Sequence, residues 1–214
     1  MNRTMKVKGK GNLTVRPDMT RVSISLSNIC KNYEESLSLS AENSNLLRKI
    51  VSELGFDESD LKTVSFDVDV KNESYRDRND NWKNRFVGYK VSHSLKIDFE
   101  SDNDLLGRLL GRIALSPAKP EFGISFFVSD TEAAKNQILG NAVRDAKAKA
   151  IVLAEASGVK LGEIRNIDYS WSEIRFESDR MPMACGSTGA EMEIDIEPDD
   201  IDVSDTVTVE WEIE

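Results

Sequence analysis

The sequence predicts an α+β fold, mainly antiparallel strands with helices packed on one face, and three observations carry that prediction. Apolar and polar residues alternate with period two over several separate stretches, the mark of half-buried strands. Other stretches place apolar residues at three-and-four spacing, the mark of helices with one inward stripe. The resulting order, ββα-ββα-βα-ββ, lacks the strict strand–helix alternation of a doubly wound parallel sheet. With 214 residues, 39% of them apolar, the chain is long enough to bury one good core. Because no Pro/Gly/Ser-rich linker divides it, residues 1–214 are expected to form one domain, or two lobes on either side of residue 100 sharing a core.

The first strand is read from Val7, Gly9, Gly11, Leu13 and Val15 alternating with Lys6, Lys8, Lys10, Asn12 and Thr14. Two glycines on its inward side leave room for another backbone. Arg16-Pro17-Asp18-Met19 reads as a tight turn, with Pro fixing φ and Asp bonding its own backbone. Val22, Ile24 and Leu26 then form the partner strand of an expected hairpin. A helix follows, with Asn32 as N-cap, Glu35 closing the box, Leu39, Leu46, Leu47, Ile50 and Leu54 on its apolar side, and Gly55 as its stop.

Two more strands come next, one through Val64, Phe66, Val68 and Val70, the other through Val87, Tyr89, Val91, His93, Leu95, Ile97 and Phe99. Between them, Asn72 to Asn84 is charged and rich in Asn, and reads as a long exposed hairpin loop. The second helix runs from about Asn103 to Ile113, and Pro117 and Pro120 prevent its continuation. The longest helix is preceded by a strand, Glu121 to Val128, and Ser129 with Glu132 has the spacing of a capping box. Leu139, Val143, Ala146, Ala150, Leu153 and Ser157 mark its expected inward stripe, and Gly158 its end. With Ala or Ser at three of those positions, this helix can lie close to the sheet it covers.

Glu163 to Phe176 is strand-like again, but Ile174 and Phe176 are out of phase with Ile167, Tyr169 and Trp171, which predicts a bulge near Ser172-Glu173. From Glu177 to Ala190 the composition is that of a loop. Met192, Ile194 and Ile196, a Pro198-Asp199-Asp200 turn, and Val203, Val207, Val209, Trp211 and Ile213 close the chain as strands.

Charge and composition exclude several function classes. Twenty-eight Lys and Arg against 38 Asp and Glu give a net charge of −10, a mean field that repels phosphate backbones and anionic lipid surfaces. No run approaches the roughly 18 apolar residues of a membrane span, and the N-terminus has no apolar stretch behind its basic residues. The expected address is the cytoplasm; a chain from which a leader had been removed would read identically and would be periplasmic or exported.

Chemistry is harder to find. His93 is the single histidine and lies in the apolar phase of its strand, which suits a packed, hydrogen-bonded histidine better than a catalytic base. One histidine and two distant cysteines, Cys30 and Cys185, make no zinc or C-x-x-C site. Cys30 reads as a small packed hydrophobe, whereas Cys185 sits in an expected exposed loop and could act as a redox sensor. Asp77, Asn79 and Asn81 have the one-three-five spacing of a calcium loop, but Trp82 and Gly88 stand where its glycine and glutamate belong. Gly9-Lys10-Gly11 does not open a helix and is no phosphate loop. The run Glu191, Glu193, Asp195, Glu197 reads as a solvated strand face. No cofactor and no metal are expected.

Five spaced motifs carry a family resemblance. Gly9-Lys10-Gly11 with Val15-Arg16-Pro17-Asp18, then Val87-Gly88-Tyr89, then Gly123-Ile124-Ser125-Phe126 with Ser129-Asp130, then Ala142 to Ala150, and lastly Leu153 to Gly162 resemble the SIMPL-domain family over nearly the whole chain. Its bacterial members include the YggE-type oxidative-stress-defence proteins and a periplasmic immunogenic protein of pathogens. The resemblance implies an oligomerising α+β domain with roles in stress defence or in protein interaction, and no catalytic residues. It marks Gly9, Gly11, Pro17, Asp18, Gly88, Tyr89, Gly123, Ser129, Gly158 and Gly162 as turn, cap and packing positions. The function expected is therefore a non-enzymatic oligomerising or scaffold protein, with Asn72 to Asn84 and Glu177 to Ala190 as contact candidates. The alternative is a small-ligand binder or enzyme with a pocket between the sheet and the long helix, lined by Tyr89, His93 and Trp171.

Overall fold

The computed structural model describes residues 3–77, 79–170, 173–183 and 196–214. Its elements are β1 (Thr4–Val15), β2 (Met19–Cys30), α1 (Tyr33–Glu53), β3 (Lys62–Arg76), β4 (Trp82–Glu100), α2 (Asn103–Ala114), β5 (Glu121–Phe127), α3 (Thr131–Ser157), β6 (Leu161–Asp168), β7 (Met181–Met183) and β8 (Ile201–Ile213). They form an α+β protein with two sheets, of order β1-β8-β6 and β3-β4-β2-β5-β7. The β1–β8, β6–β8, β2–β4, β3–β4 and β5–β7 pairs are all antiparallel.

The chain makes two compact units, and their boundary does not fall at residue 100. One unit comprises Met1–Asp18, Phe127–Ser178 and Pro198–Glu214; the other comprises Met19–Phe126 and Asp179–Glu197. The expected β1–β2 hairpin is accordingly not formed: β1 pairs with β8 and β2 with β4. Alternation defines a strand and its inward face, whereas its neighbour is chosen by packing at long range.

In the first unit, α3 lies on β1 and β8, and a buried cluster joins Val7, Ala142, Ala146, Ala150, Val207, Val209 and Trp211. The buried stripe of α3 is Ala134, Ile138, Ala142, Ala146, Ala150 and Ala154. Ala146 and Ala150 were expected there, but Leu153 is 47% exposed and Ser157 is also exposed. The stripe follows the small residues because the helix backbone rests on β1. A Cβ added at Gly9 would lie 2.1 Å from the Ala142 carbonyl oxygen, and one at Gly11 would lie 2.1 Å from that of Ile138. Leucine on that face would hold the helix off the strand.

The start of α3 also differs from expectation. Its N-cap is Asp130, whose carboxylate accepts from the Ala133 N–H at 2.9 Å. Ser129 is engaged elsewhere: its N–H, at 2.8 Å, and its hydroxyl both donate to the Asp18 carboxylate. Gly158 ends the helix in the left-handed conformation, φ 67°, as expected. Strand β6 stops at Asp168, and its register shifts fall between Leu161 and Asn166. Trp171 and Ser172, the latter placed in the expected bulge, lie outside the described residues.

The second unit buries Val22, Ile24 and Leu26 of β2 and Leu95 and Ile97 of β4 beneath α1 and α2. Helix α2 matches expectation closely, with Leu106, Leu109, Leu110 and Ile113 buried and Asp102 accepting from the Leu105 N–H at 3.0 Å. Helix α1 starts after Asn32 as expected, although that side chain makes no cap bond, and Gly55 follows it at φ 95°. Its buried side is Ser36, Ser40, Ser44, Leu47, Ile50 and Val51, while Leu39 is 37% exposed.

The Asn72 to Asn84 segment is mostly strand rather than loop. β3 and β4 remain paired out to Arg76 opposite Trp82. Within the expected 177–190 loop, Met181–Met183 form β7 on β5, and residues 184–190 lie outside the described residues.

Candidate functional site

The edge of the five-stranded sheet is where this fold departs from ordinary burial. Strand β3 continues the inward phase of β4, with Phe66 opposite His93, Val68 opposite Val91 and Val70 opposite Tyr89. Helix α1 packs mainly on β2 and β4. Phe66 and Val70 therefore stay 47% and 57% exposed although they occupy core-facing positions. Farther along the ribbon Phe86 and Trp82 are exposed too. Phe86 packs edge-on against Tyr89, which does the same with Tyr33, at centroid separations of 5.4 and 5.5 Å. These exposed apolar side chains lie on the two strands at one edge of the sheet, where β3 has no outer neighbour.

The serines of α1 shape the other half of the site. Ser36 fastens the helix to the sheet: its hydroxyl donates to the Tyr89 carbonyl at 2.9 Å and accepts from the Cys30 N–H at 3.2 Å. One and two turns later, Ser40 and Ser44 are buried as well. A cavity of about 330 Å³ opens there, lined by Leu37, Ser40, Ala41, Ser44, Asn45, Phe66 and His93.

Two buried polar atoms in that lining have no partner, Ser40 Oγ and His93 Nδ1. Ser40 is 2% and His93 7% exposed. The other imidazole nitrogen, Nε2, lies 3.0 Å from Thr63 Oγ, and the Phe66 ring stands edge-on to the imidazole at 5.1 Å. Burial lowers the His93 pKa, and the Arg48 cation adds to that shift, so the ring is neutral at pH 7. The Arg48 guanidinium itself donates to the Glu58 carbonyl at 2.7 Å.

The structure thus relocates the expected pocket. His93 does line a cavity, but under α1 rather than under the longest helix, which belongs to the other unit. Tyr89 packs against Tyr33 and Phe86 instead of the cavity, and Trp171 lies outside the described residues. So does Cys185, and with it Glu191, Glu193 and Asp195. Cys30 is half-buried at the end of β2 with a free thiol. Ser40, Thr63 and Phe66 were missed as site residues. The signal for Ser40 was present in the Ser36, Ser40, Ser44 repeat at helical spacing.

Several family-motif glycines stand at close approaches of backbone or side chain. Besides Gly9 and Gly11, a Cβ at Gly88 would lie 2.4 Å from the Cys30 carbonyl oxygen, and one at Gly162 would lie 3.1 Å from that of Glu212. At Gly123 a Cβ would meet the Arg180 side chain. Pro17 is buried, and the Ser129 hydroxyl, the largest influence, holds the Asp18 carboxyl below its usual pKa. One buried acid was not anticipated: Asp205, in the inward phase of β8, accepts from the Tyr169 hydroxyl at 2.9 Å and the Thr206 N–H at 2.7 Å. Burial, with Asp205 beside it, raises the Tyr169 pKa. Among the described residues, no three His, Cys, Asp or Glu side chains are placed to hold a metal, and no helix is long and apolar enough to cross a membrane.

Comparison with known proteins gives a consistent result. The SIMPL family model, described as "Protein of unknown function (DUF541)", matches residues 5–211. A 26 kDa periplasmic immunogenic protein of Brucella abortus (strain S19) is 27% identical over 180 residues, 84% of this chain and 70% of that protein. Its namesake in Brucella melitensis biotype 1 is 26% identical over the same extent.

Proposed function

The chain belongs to the SIMPL family, and from that premise we propose that it is a non-enzymatic, self-associating scaffold whose contact surface is the β3–β4 ribbon. One observation carries the reading: β3 is an edge strand whose core-facing residues, Phe66 and Val70, are left uncovered. A second copy of this chain is the occupant that the strand favours. With Val70 on a two-fold axis, an antiparallel copy of β3 sets Asp69 opposite Lys71 twice, and isologous pairing of this kind closes into a dimer. The same register brings Asp67 near Glu73, but Glu73 is already paired with Arg85 across the hairpin at 2.6 Å. The periplasmic address in the relatives' names belongs to this proposal in place of the cytoplasm. A role in stress defence or in binding another protein would be carried by the assembled form.

Light scattering after size exclusion, at two concentrations and with and without reductant, tests the reading. A mass of two or more subunits in wild type, reduced to the monomer by Val70→Lys, is the expected result. A wild-type monomer at both concentrations would refute self-association, and an undiminished mass in Val70→Lys would remove β3 as the contact. Fractionation of cells expressing the chain tests the address.

A further inference from the structure

We propose that His93 is an acid-sensitive latch on the sheet edge: a proton taken up by its ring releases the start of β3, Lys62–Phe66, from β4. The inference concerns a single chain and does not rest on self-association. Its starting point is the enclosure of the imidazole. The ring is 7% exposed, Thr63 Oγ lies 3.0 Å from Nε2, the Phe66 ring stands edge-on at 5.1 Å, and Nδ1 is buried without a partner.

A second ring proton has no place in that enclosure, whichever tautomer the neutral ring adopts. An imidazolium carries N–H on both nitrogens. Thr63 Oγ accepts from Nε2, but Nδ1 has no acceptor, and a full charge is desolvated at the same time. The surrounding groups do not compensate it. Leu26 stands opposite on β2, and Thr63 and Phe66 face the ring from β3. The charge that acts on it is the Arg48 cation of α1, of like sign; among the described residues no carboxylate does, including those of Glu58 and Asp60 just before β3. Arg48 donates to the Glu58 carbonyl at 2.7 Å, which keeps that cation in place.

Hydrating the imidazolium requires one covering element to lift, and β3 is the least firmly held. Strand β4 is paired on both flanks, and the Ser36 hydroxyl fastens α1 to the sheet. By contrast, β3 is an edge strand whose register shifts between Thr63 and Ser65, and it sets Lys62 opposite Lys96, a like-charge pair. With β3 in place, burial and Arg48 hold the ring below its ordinary pKa of 6.5; release restores that value. Between the two values, the released form gains up to about tenfold per pH unit.

Amide hydrogen exchange of the full chain at about pH 7.5 and about pH 5.5, corrected for intrinsic exchange rates, tests the latch. Acid is expected to speed exchange in Lys62–Phe66 about three- to tenfold more than in α2 or β1. His93→Gln keeps a side-chain amide near Thr63 and takes no proton, so it is expected to abolish that difference. His93 is the single histidine, so NMR follows its titration in wild type without assignment, and exchange in β3 is expected to rise over the pH range in which the ring takes up its proton. That second measurement decides the matter should His93→Gln not fold. An unchanged Lys62–Phe66 segment, an equal rise in all three elements, a rise that persists in His93→Gln, or one displaced from the titration of the ring would overturn the proposal.

Discussion

Replacing Gly9 by alanine is predicted to cost the first unit about 3 kcal/mol or more, and the geometry supplies the reasoning. The new Cβ would lie 2.1 Å from the Ala142 carbonyl oxygen, 2.6 Å from the Ala146 nitrogen and 2.7 Å from the Ala146 Cβ. Ordinary contact begins near 3.4 Å, so α3 would have to retreat by about 1.3 Å from the strand. Two of the three obstructing atoms are helix backbone, and no rotamer change relieves them. Overpacking of this kind costs about 1–3 kcal/mol by itself. A gap of about 1 Å forfeits up to roughly half of the dispersion energy of the atoms it separates, here Ala142, Ala146 and Ala150 against β1 and β8. Lower unfolded-state entropy offsets only about 0.4–1 kcal/mol of this.

Urea unfolding followed by circular dichroism measures the loss, read on the transition that carries α3. Gly140→Ala is the matched control, because its Cβ would meet nothing nearer than the Arg144 side chain at 3.9 Å. In mid-helix that change should stabilise by about 0.5–1 kcal/mol. A Gly9→Ala protein within about 1 kcal/mol of wild type would refute the claim that helix and strand backbones are in direct contact.

Three further outcomes follow from the same structure. Ser36→Ala should cost about 1–3 kcal/mol because it removes the hydroxyl that bonds both the Tyr89 carbonyl and the Cys30 N–H, whereas Ser40→Ala should be neutral or stabilising; equal losses in urea unfolding would contradict the difference in their bonding. The His93 pKa is depressed, so the unfolded chain takes up its proton first and stability should fall as pH drops below the ordinary value of 6.5; an NMR titration midpoint at or above 6.5 would show that the ring is not desolvated. The Asp18 carboxyl is likewise depressed, so its contribution is complete above its ordinary value of 3.8 and is lost as pH falls through the lower folded value; Ser129→Ala should flatten that acid limb of the stability profile, and an unchanged limb would dissociate Asp18 from it.

What the sequence determined by itself is the kind and inward phase of most elements. Period-two alternation placed β1, β2, β4 and β8, the leucines placed α2, and the inward glycines of β1 announced a close backbone approach that α3 makes. These are local properties, written in the spacing of residues with large hydropathy differences. The resemblance to the SIMPL family was equally legible, because its motifs are short contiguous runs of residues.

Tertiary structure decided what local spacing does not encode. It chose β8 rather than β2 as the partner of β1, since alternation names a face and never a neighbour. It turned α3 onto Ala134, Ile138, Ala142, Ala146, Ala150 and Ala154, because contact with a glycine strand selects small residues, and alanine differs too little from its surroundings to reveal the phase. It drew Ser129 away from the helix to Asp18, 111 positions earlier, and moved the cap to Asp130. The candidate site has the same origin. Serines at 36, 40 and 44 carry no apolar signal, yet α1 turns them inward, where one is satisfied by the sheet and the next is buried without a partner. Burial of a small polar side chain depends on what stands opposite it, and that is set only when distant strands meet.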